Sequence, residues 1–460
     1  MTVNFKNIYC KYPEIYLDEV DGLSLVYTPV NFESTKILNE RTSLVFSLIN
    51  DRRNFDEISK LAKKMNEDLD KAEVKKILVD LIKSKIIYSG RLELPKLSRK
   101  LGIKRFTAWL HITNQCNLRC TYCYVEKTGA RMDKKMGEKV IRRLIDSAKK
   151  HKFKEIRINF SGGECLLEFK LIKHLIDYSK KLGKKSKIKF SFLLLSNGIL
   201  ITKEIAEYTK KNKIMIRISL DGMKKYNDKG RVFSNGKGSF DFIVRGIRIM
   251  QKVKASYFVG VTVTDSNVDG LYLLTKFFIK EQIPFSLNLV REHSLTDFTE
   301  ISNNHKKLIR IFKKVFRYIG RNLDKKVMIV NTFFETLNLL EPNTVVCGAG
   351  KSLVAINPQG KLTTCQMSLD RLIGSIDDDI IKTVRDKNIF KPHDLSVLDK
   401  KQCRKCMWRY ICAGGCPMLV KNTYRRDDVA SPNCDIYKAL IPEMLKLKAK
   451  QIIRYSRKKK

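Results

Sequence analysis

Three cysteines stand close together in the stretch Cys116-Asn117-Leu118-Arg119-Cys120-Thr121-Tyr122-Cys123, a C-x3-C-x2-C spacing. The run Phe106–Ile112 before them reads as a strand, so the thiols belong to the loop that follows it. Three thiolates on so short a loop can hold three irons of a 4Fe–4S cube. They cannot supply the fourth ligand, since such cubes take four cysteines. An iron left open is a place where an outside molecule can bind and react. A closed zinc site needs four protein ligands, so the bland alternatives are an incomplete zinc knuckle or three unrelated core thiols.

A second group lies far downstream: Cys347, Cys365, Cys403, Cys406, Cys412, Cys416 and Cys434, with Gly348, Gly350, Gly414 and Gly415 beside the thiols. Seven ligands suffice for two further clusters if one has an incomplete shell. The flanking glycines let backbone N–H groups point at cluster sulfurs. The competing account is one zinc site drawn from Cys403, Cys406, Cys412 and Cys416, which leaves Cys347, Cys365 and Cys434 without a task. Between the two groups, Ser161-Gly162-Gly163-Glu164-Cys165 follows a strand-like run. Two glycines let backbone approach a ligand closely, and a Glu can accept from an ammonium group. Ser219-Leu220-Asp221-Gly222 ends another such run and Arg231 follows it. A Ser hydroxyl can bond a ribose hydroxyl, and Arg can pair with a carboxylate; otherwise Arg231 forms a surface ion pair. Ser196-Asn197-Gly198 reads first as a turn, and Cys10 as a buried or free thiol with no role.

Taken together, these motifs resemble the radical S-adenosylmethionine (SAM) superfamily over about residues 100–440. The resemblance implies that the open iron is chelated by the amino and carboxylate groups of SAM, and that an electron from the cluster cleaves SAM to a 5′-deoxyadenosyl radical that removes hydrogen from a C–H bond. It makes Cys116, Cys120 and Cys123 both ligands and catalytic residues. It makes Gly162, Gly163 and Glu164 the site of the SAM amino group, and Tyr122, Gly163, Ser219 and Arg231 SAM contacts, as in sulfatase-maturating relatives. Asn197 and its neighbours line the family's site at second rank. Cys165 replaces the usual Pro and reads as a small apolar substitute. The downstream cysteines look like a SPASM domain, which implies auxiliary cluster I on Cys347, Cys365 and Cys416, and auxiliary cluster II on Cys403, Cys406, Cys412 and Cys434. Two departures matter. Leu353 stands where relatives have a further cysteine, leaving cluster I with an open iron. Gln366 stands where sulfatase-maturating enzymes have an Asp base, which argues against a sulfatase substrate.

The elements that must position these residues follow from periodicity. Strand-like runs recur at 106–112, 155–160, 188–196, 214–220, 256–264 and 283–289, alternating with helical segments such as 134–150, 202–212 and 269–282. Strands separated by helices imply a parallel sheet, and the fold class is α/β, a partial (β/α)6 barrel spanning 105–330. Its reactive end lies at the strands' C-terminal ends. Residues 1–95 read as a separate winged-helix domain, with a strand at 23–28, helices at 42–49, 55–65 and 71–83, and a return strand at 86–88. This domain looks like the leader-peptide recognition domain of peptide-maturing enzymes, the type named after the pyrroloquinoline-quinone peptide chaperone, which adds a leader to its sheet edge as a strand. Leu94–Lys104 reads as a linker, 340–440 as the SPASM domain and 441–460 as a basic helix or tail.

With 460 residues the chain has room for about three domains. No apolar run reaches the roughly 18 residues of a membrane span, and residues 1–20 lack a signal-type segment, so a cytoplasmic protein is expected, with its cysteines serving metal rather than disulfides. The net charge of +43 attracts anions. The basic residues are dispersed, which fits an acidic peptide as well as nucleic acid and disfavours the latter. The expected activity is that of a radical SAM oxidoreductase that matures a ribosomally made precursor peptide by an intrapeptide thioether. The expected electron donor is of the flavodoxin or ferredoxin type. Carbon–carbon cyclisation, epimerisation and sulfatase-type Cys or Ser oxidation are the enzymatic alternatives; a zinc-containing nucleic-acid binder is the non-enzymatic one.

Overall fold

The computed structural model describes residues 7–29, 35–90, 92, 105–291, 304–323, 337–339, 342–387 and 395–457. The expected linker at 94–104 and the last residues of the basic tail lie outside them.

The N-terminal part contains β1 (Tyr9–Lys11), β2 (Tyr16–Val20), β3 (Leu23–Tyr27), β4 (Lys36–Leu38), α1 (Glu40–Ser47), α2 (Phe55–Met65), α3 (Lys71–Lys83) and β5 (Ile87–Ser89). Each helix begins at an Asx cap: Asn39, Asn54 and Asp70 accept from backbone N–H groups of the first turn, and Asn54 with Glu57 forms a capping box. β2, β3 and β4 form an antiparallel sheet, while β1 pairs separately with β5. The strands β1, β2 and β4 escape a reading of the sequence because they are short and partly polar.

Six strands then build the parallel sheet: β6 (Arg105–Thr113), β7 (Glu155–Gly162), β8 (Lys189–Ser196), β9 (Met215–Ser219), β10 (Tyr257–Val263) and β11 (Phe285–Leu289). They lie side by side in chain order. Each return is made by helix: α4 (Lys134–Lys150), α5 (Phe169–Ser186), α6 (Lys203–Lys211), α7 (Lys224–Gly230) with α8 (Phe240–Val253), and α9 (Leu271–Lys280). α10 (His305–Arg321) follows the last strand. Alternation sorts the strand residues. Phe106, Ala108, Leu110 and Ile112 are fully buried in the main core, whereas Trp109 on the opposite face lines a cavity.

The cysteine-rich part does not stand apart from this sheet. β12 (Leu353–Ile356) pairs in parallel with β6, and β13 (Lys361–Thr363) and β14 (Gly374–Ser375) extend the sheet beyond it. α11 (Ile380–Asp386), α12 (Arg409–Cys412), α13 (Pro417–Tyr424) and the long α14 (Cys434–Arg457) complete the chain. Among the described residues no helix is long and apolar enough to cross a membrane.

The N-terminal part is also tied in. On β3, Val26 faces a small local core with Phe46, Ile58 and Leu78, while Leu25 and Tyr27 face the main core. One strand is thus the wall between two cores. Tyr16 and Tyr27 pack on Trp408, with ring centroids 5.0 and 5.4 Å apart. Arg409 pairs with Glu14 at 2.8 Å, and Lys446 and Lys450 on α14 pair with Asp18 and Asp21. Removing the Leu25 side chain opens a cavity on this wall. Leu25→Ala should cost about 2–5 kcal/mol, with N-terminal and barrel probes shifting together in urea unfolding rather than as two transitions.

Candidate functional site

The loop after β6 carries the three thiols to the C-terminal end of the sheet, and backbone hydrogen bonds fix it there. Arg119 N donates to Val232 O (2.7 Å) and Thr121 N to Gly230 O (3.0 Å). From the other side, Gly163 N donates to Thr113 O (2.7 Å) and Glu164 N to Gln115 O (2.8 Å). A Cβ at position 162 would stand 2.2 Å from Thr113 O, and one at 163 would stand 2.1 Å from Gln115 O. Gly162 also has φ +137°. The glycine pair is therefore required by the close approach of two backbones as well as by any ligand.

Cys116, Cys120 and Cys123 line one cavity of about 240 Å³ together with Tyr122, Gly162, Gly163, Asn197, Ser219 and Arg231. Glu164 differs from expectation. It is fully buried, is not among the residues lining this cavity, and its carboxylate accepts from Ser196 Oγ (2.9 Å), Asn197 N (2.7 Å) and Leu166 N (2.9 Å). It locks the turn after β8 rather than presenting an acceptor to the cavity. Burial raises its pKa, and these hydrogen bonds oppose the rise. Asn197, in turn, donates to Asn117 Oδ1 at 2.7 Å and so braces the cysteine loop.

Arg231 is no surface ion pair. It is buried, with Nη1 2.5 Å from the Tyr122 hydroxyl and 3.3 Å from Asp221 Oδ2. Tyr122 donates to the same carboxylate, whose other oxygen accepts from Thr262 N (2.8 Å). Burial alone would lower the Arg231 pKa, but Cys120, Tyr122 and Asp221 beside it outweigh that and raise it. Its Nε is buried without a hydrogen-bond partner among the described residues. Arg217, Thr262, Asn288 and Arg291 also line the cavity, as do Lys127 and Gln366, whereas no Asp or Glu does among the described residues. Arg217 lies over Gly260, where a Cβ would stand 2.2 Å from its Nε. Sequence reasoning singled out Gln366 and missed the others. The available signal is a polar side chain amid apolar neighbours on a buried strand, as in Ile216-Arg217-Ile218 and Leu287-Asn288-Leu289.

The downstream cysteines fall into two neighbourhoods. Burial, the Cys416 thiolate and, less strongly, Cys347 push Cys365 up to about 12, and Cys365 and Cys416 share a small buried cluster with Met367 and Met418. Cys403, Cys406, Cys412 and Cys434 line a second cavity, from which Cys416 is absent. Burial and the thiolates of Cys403, Cys406 and Cys434 push Cys412 up to about 12. Leu353 begins β12. Cys165 is buried in the main core, donating to Leu195 O at 3.2 Å. Cys10 lies on β1 opposite Tyr88. All twelve cysteines are free thiols. Among the described residues no three His, Cys, Asp or Glu side chains converge as a single metal ion requires; a four-iron cage spreads its thiolates over separate corners.

Residues 110–272 match the model of the Radical SAM superfamily. An uncharacterized protein of Methanocaldococcus jannaschii is 31% identical over 214 residues, 46% of this chain and 70% of that protein.

The chain belongs to the radical SAM superfamily.

A cysteine-type anaerobic sulfatase-maturating enzyme of Clostridium novyi is 28% identical over 324 residues, covering 66% of this chain and 85% of the relative. Among solved structures, native anSMEcpe with bound AdoMet and Cp18Cys peptide superposes with a TM-score of 0.63 at 21% identity, covering 77% of this chain and all of that one. As a radical SAM oxidoreductase, the protein uses SAM and iron–sulfur chemistry, and the residues present fit both. Burial and, less strongly, the neighbouring thiolates push Cys120 up to about 11, so the three thiols ionise together only if a cation offsets their charge. The unpartnered Arg231 Nε suits an anionic group in the cavity. In the metal-free chain the raised pKa keeps Cys120 a thiol through pH 9. Iodoacetamide alkylation of Cys120 should therefore stay slow there and accelerate as the pH approaches 11, read by peptide mapping.

Proposed function

We propose that this radical SAM enzyme acts on a peptide and oxidises it at a Cys residue. The observation that carries this reading is the charge of the cavity: Lys127, Arg217, Arg231 and Arg291 line it, with no carboxylate or imidazole among the described lining residues. Oxidation at a side-chain β-carbon removes a hydrogen atom, an electron and a proton. A Ser substrate needs a base for its hydroxyl proton, and Gln366 cannot serve. A Cys thiol ionises near pH 8.5 unaided, and a cationic cavity favours its thiolate. The C. novyi relative is itself named cysteine-type, which supports the same choice.

Bound SAM supplies the 5′-deoxyadenosyl radical that takes the hydrogen atom. The chain's own residues hold the reactants. Cys116, Cys120 and Cys123 hold the SAM-binding cluster, and Tyr122, Gly162, Gly163, Ser219 and Arg231 frame the cavity. Cys347, Cys365 and Cys416 belong to one auxiliary cluster and Cys403, Cys406, Cys412 and Cys434 to another. Gln366 follows Cys365 directly and lines the cavity, so a cluster held by Cys365 would stand close to the cavity and could accept an electron. Residues 1–95 serve as the leader-binding domain. β2 is an outer strand of its sheet and Leu17 on it is 53% exposed, which suits strand addition by a peptide. A flavodoxin- or ferredoxin-type protein in the cytoplasm supplies the reducing electron.

A thioether cross-link is a second reading, favoured by Gln366 and by Leu353 in place of a ligand. It uses the same thiolate but keeps the sulfur in the peptide.

Two measurements check these assignments. Anaerobically reconstituted protein should carry up to about twelve irons, from three cubes of four. Ala at Cys116, Cys120 and Cys123 should abolish SAM cleavage and leave the auxiliary iron. Mass spectrometry of a reacted precursor peptide should show one Cys converted to an aldehyde, as water hydrolyses the thioaldehyde left by the oxidation and its sulfur leaves as hydrogen sulfide. A product two hydrogens lighter, with one Cys no longer alkylable, would decide for the thioether. An unchanged mass with deuterium taken from solvent would overturn both.

A further inference from the structure

One cation lining the cavity also meets a cysteine of the triad directly. Lys127 follows the cysteine triad by four residues, and its Nζ donates to Cys123 Sγ and to Val125 O, both at 2.8 Å. The segment after it is pinned to the end of β6. Asn114 N donates to Ala130 O (2.8 Å), Met132 N to Ile112 O (2.7 Å) and Asn114 Nδ2 to Thr128 Oγ1 (3.1 Å). The ammonium is thus held against a thiol by a fixed loop rather than by a free side chain.

The other cations near the triad are spoken for. Arg119 turns back to the carbonyls of Cys116 and Leu118 at 2.7 and 3.0 Å. The charge of Arg231 is matched by Asp221 at 3.3 Å. For Lys127 no carboxylate lines the cavity among the described residues. His111, fully buried nearby, is held down to about 4 by burial and by the Lys127 charge, and so stays neutral at neutral pH. The group that Lys127 meets is therefore the Cys123 sulfur itself.

We propose that Lys127 is a positioning residue that raises the reduction potential of the cluster held by Cys116, Cys120 and Cys123. Taking up one electron makes the cube and its thiolates one unit more negative, with no bond made or broken. A fixed ammonium at a ligand sulfur favours the reduced form more than the oxidised one. Hydrogen bonding to cluster sulfurs is one of the levers that set such potentials. Lys127 thereby makes the cluster easier to reduce by a protein donor.

The test uses the full chain, reconstituted anaerobically, with dithionite as reductant and EPR as the readout. The SAM-site cluster is recognised as the signal that changes when SAM is added. Lys127→Gln should keep its iron and titrate at a more negative potential than the parent. Lys127→Arg, which restores the charge and a donor, should return the potential toward the parent value. A Gln variant with full iron and an unshifted potential would overturn the proposal. So would an Arg variant shifted as far as the Gln variant. Loss of iron from the Gln variant alone, with the Arg variant unshifted, would also overturn it, since Lys127 would then act on cluster retention and not on potential.

Discussion

Everything at the reactive end depends on holding one loop still. Three thiols on residues 116–123 must face a common point, yet the loop has no regular structure of its own. Its backbone groups are satisfied from two sides: by Thr113 and Gln115 meeting the 163–164 turn, and by Arg119 and Thr121 meeting residues 230–232. A close backbone contact of this kind excludes any side chain at positions 162 and 163. The buried Glu164 then ties the same turn to β8 through Ser196 and Asn197, and Asn197 reaches back to Asn117. The glycines and the glutamate are thus as much part of the scaffold of the cysteine loop as of a ligand site.

Buried charge is handled by pairing. Arg231, Asp221 and Tyr122 pair with one another, and Thr262 N completes the carboxylate. Breaking such a set leaves an uncompensated charge in a low-dielectric place. The pairing also leaves Arg231 Nε for a ligand. The cavity gains a positive field without an exposed, mobile arginine.

The chain is less modular than its motifs. β12 continues the barrel sheet alongside β6, which joins the cysteine-rich part to the barrel. β3 serves two cores at once, and Trp408, two residues beyond Cys406, is covered by Tyr16 and Tyr27. The N-terminal part therefore shields the loop of the second downstream cysteine set. The described residues of 7–29 and 35–90 form a small α/β unit with its own core, joined to the rest by one shared strand and several ion pairs.

Local chemistry determined much of this protein in advance. The cysteine spacings, the glycine pair after a strand, and strands alternating with amphipathic helices are short-range patterns, and the α/β sheet with its reactive loop follows from them. The helices at 55–65, 71–83 and 134–150 begin and end where their caps and periodicity place them. What the sequence could not decide was which distant groups meet. Whether Glu164 faces a ligand or a turn depends on where the end of β8 lies, 32 residues away. Whether Arg231 is exposed or buried depends on Asp221 and Tyr122 approaching from two other segments. The division of the seven downstream cysteines, which the family resemblance implied and spacing alone did not, depends on folding Cys416 toward Cys365 and Cys434 toward Cys403. Partner choice across such separations is set by packing and by the satisfaction of buried polar groups, and only the tertiary structure holds that information.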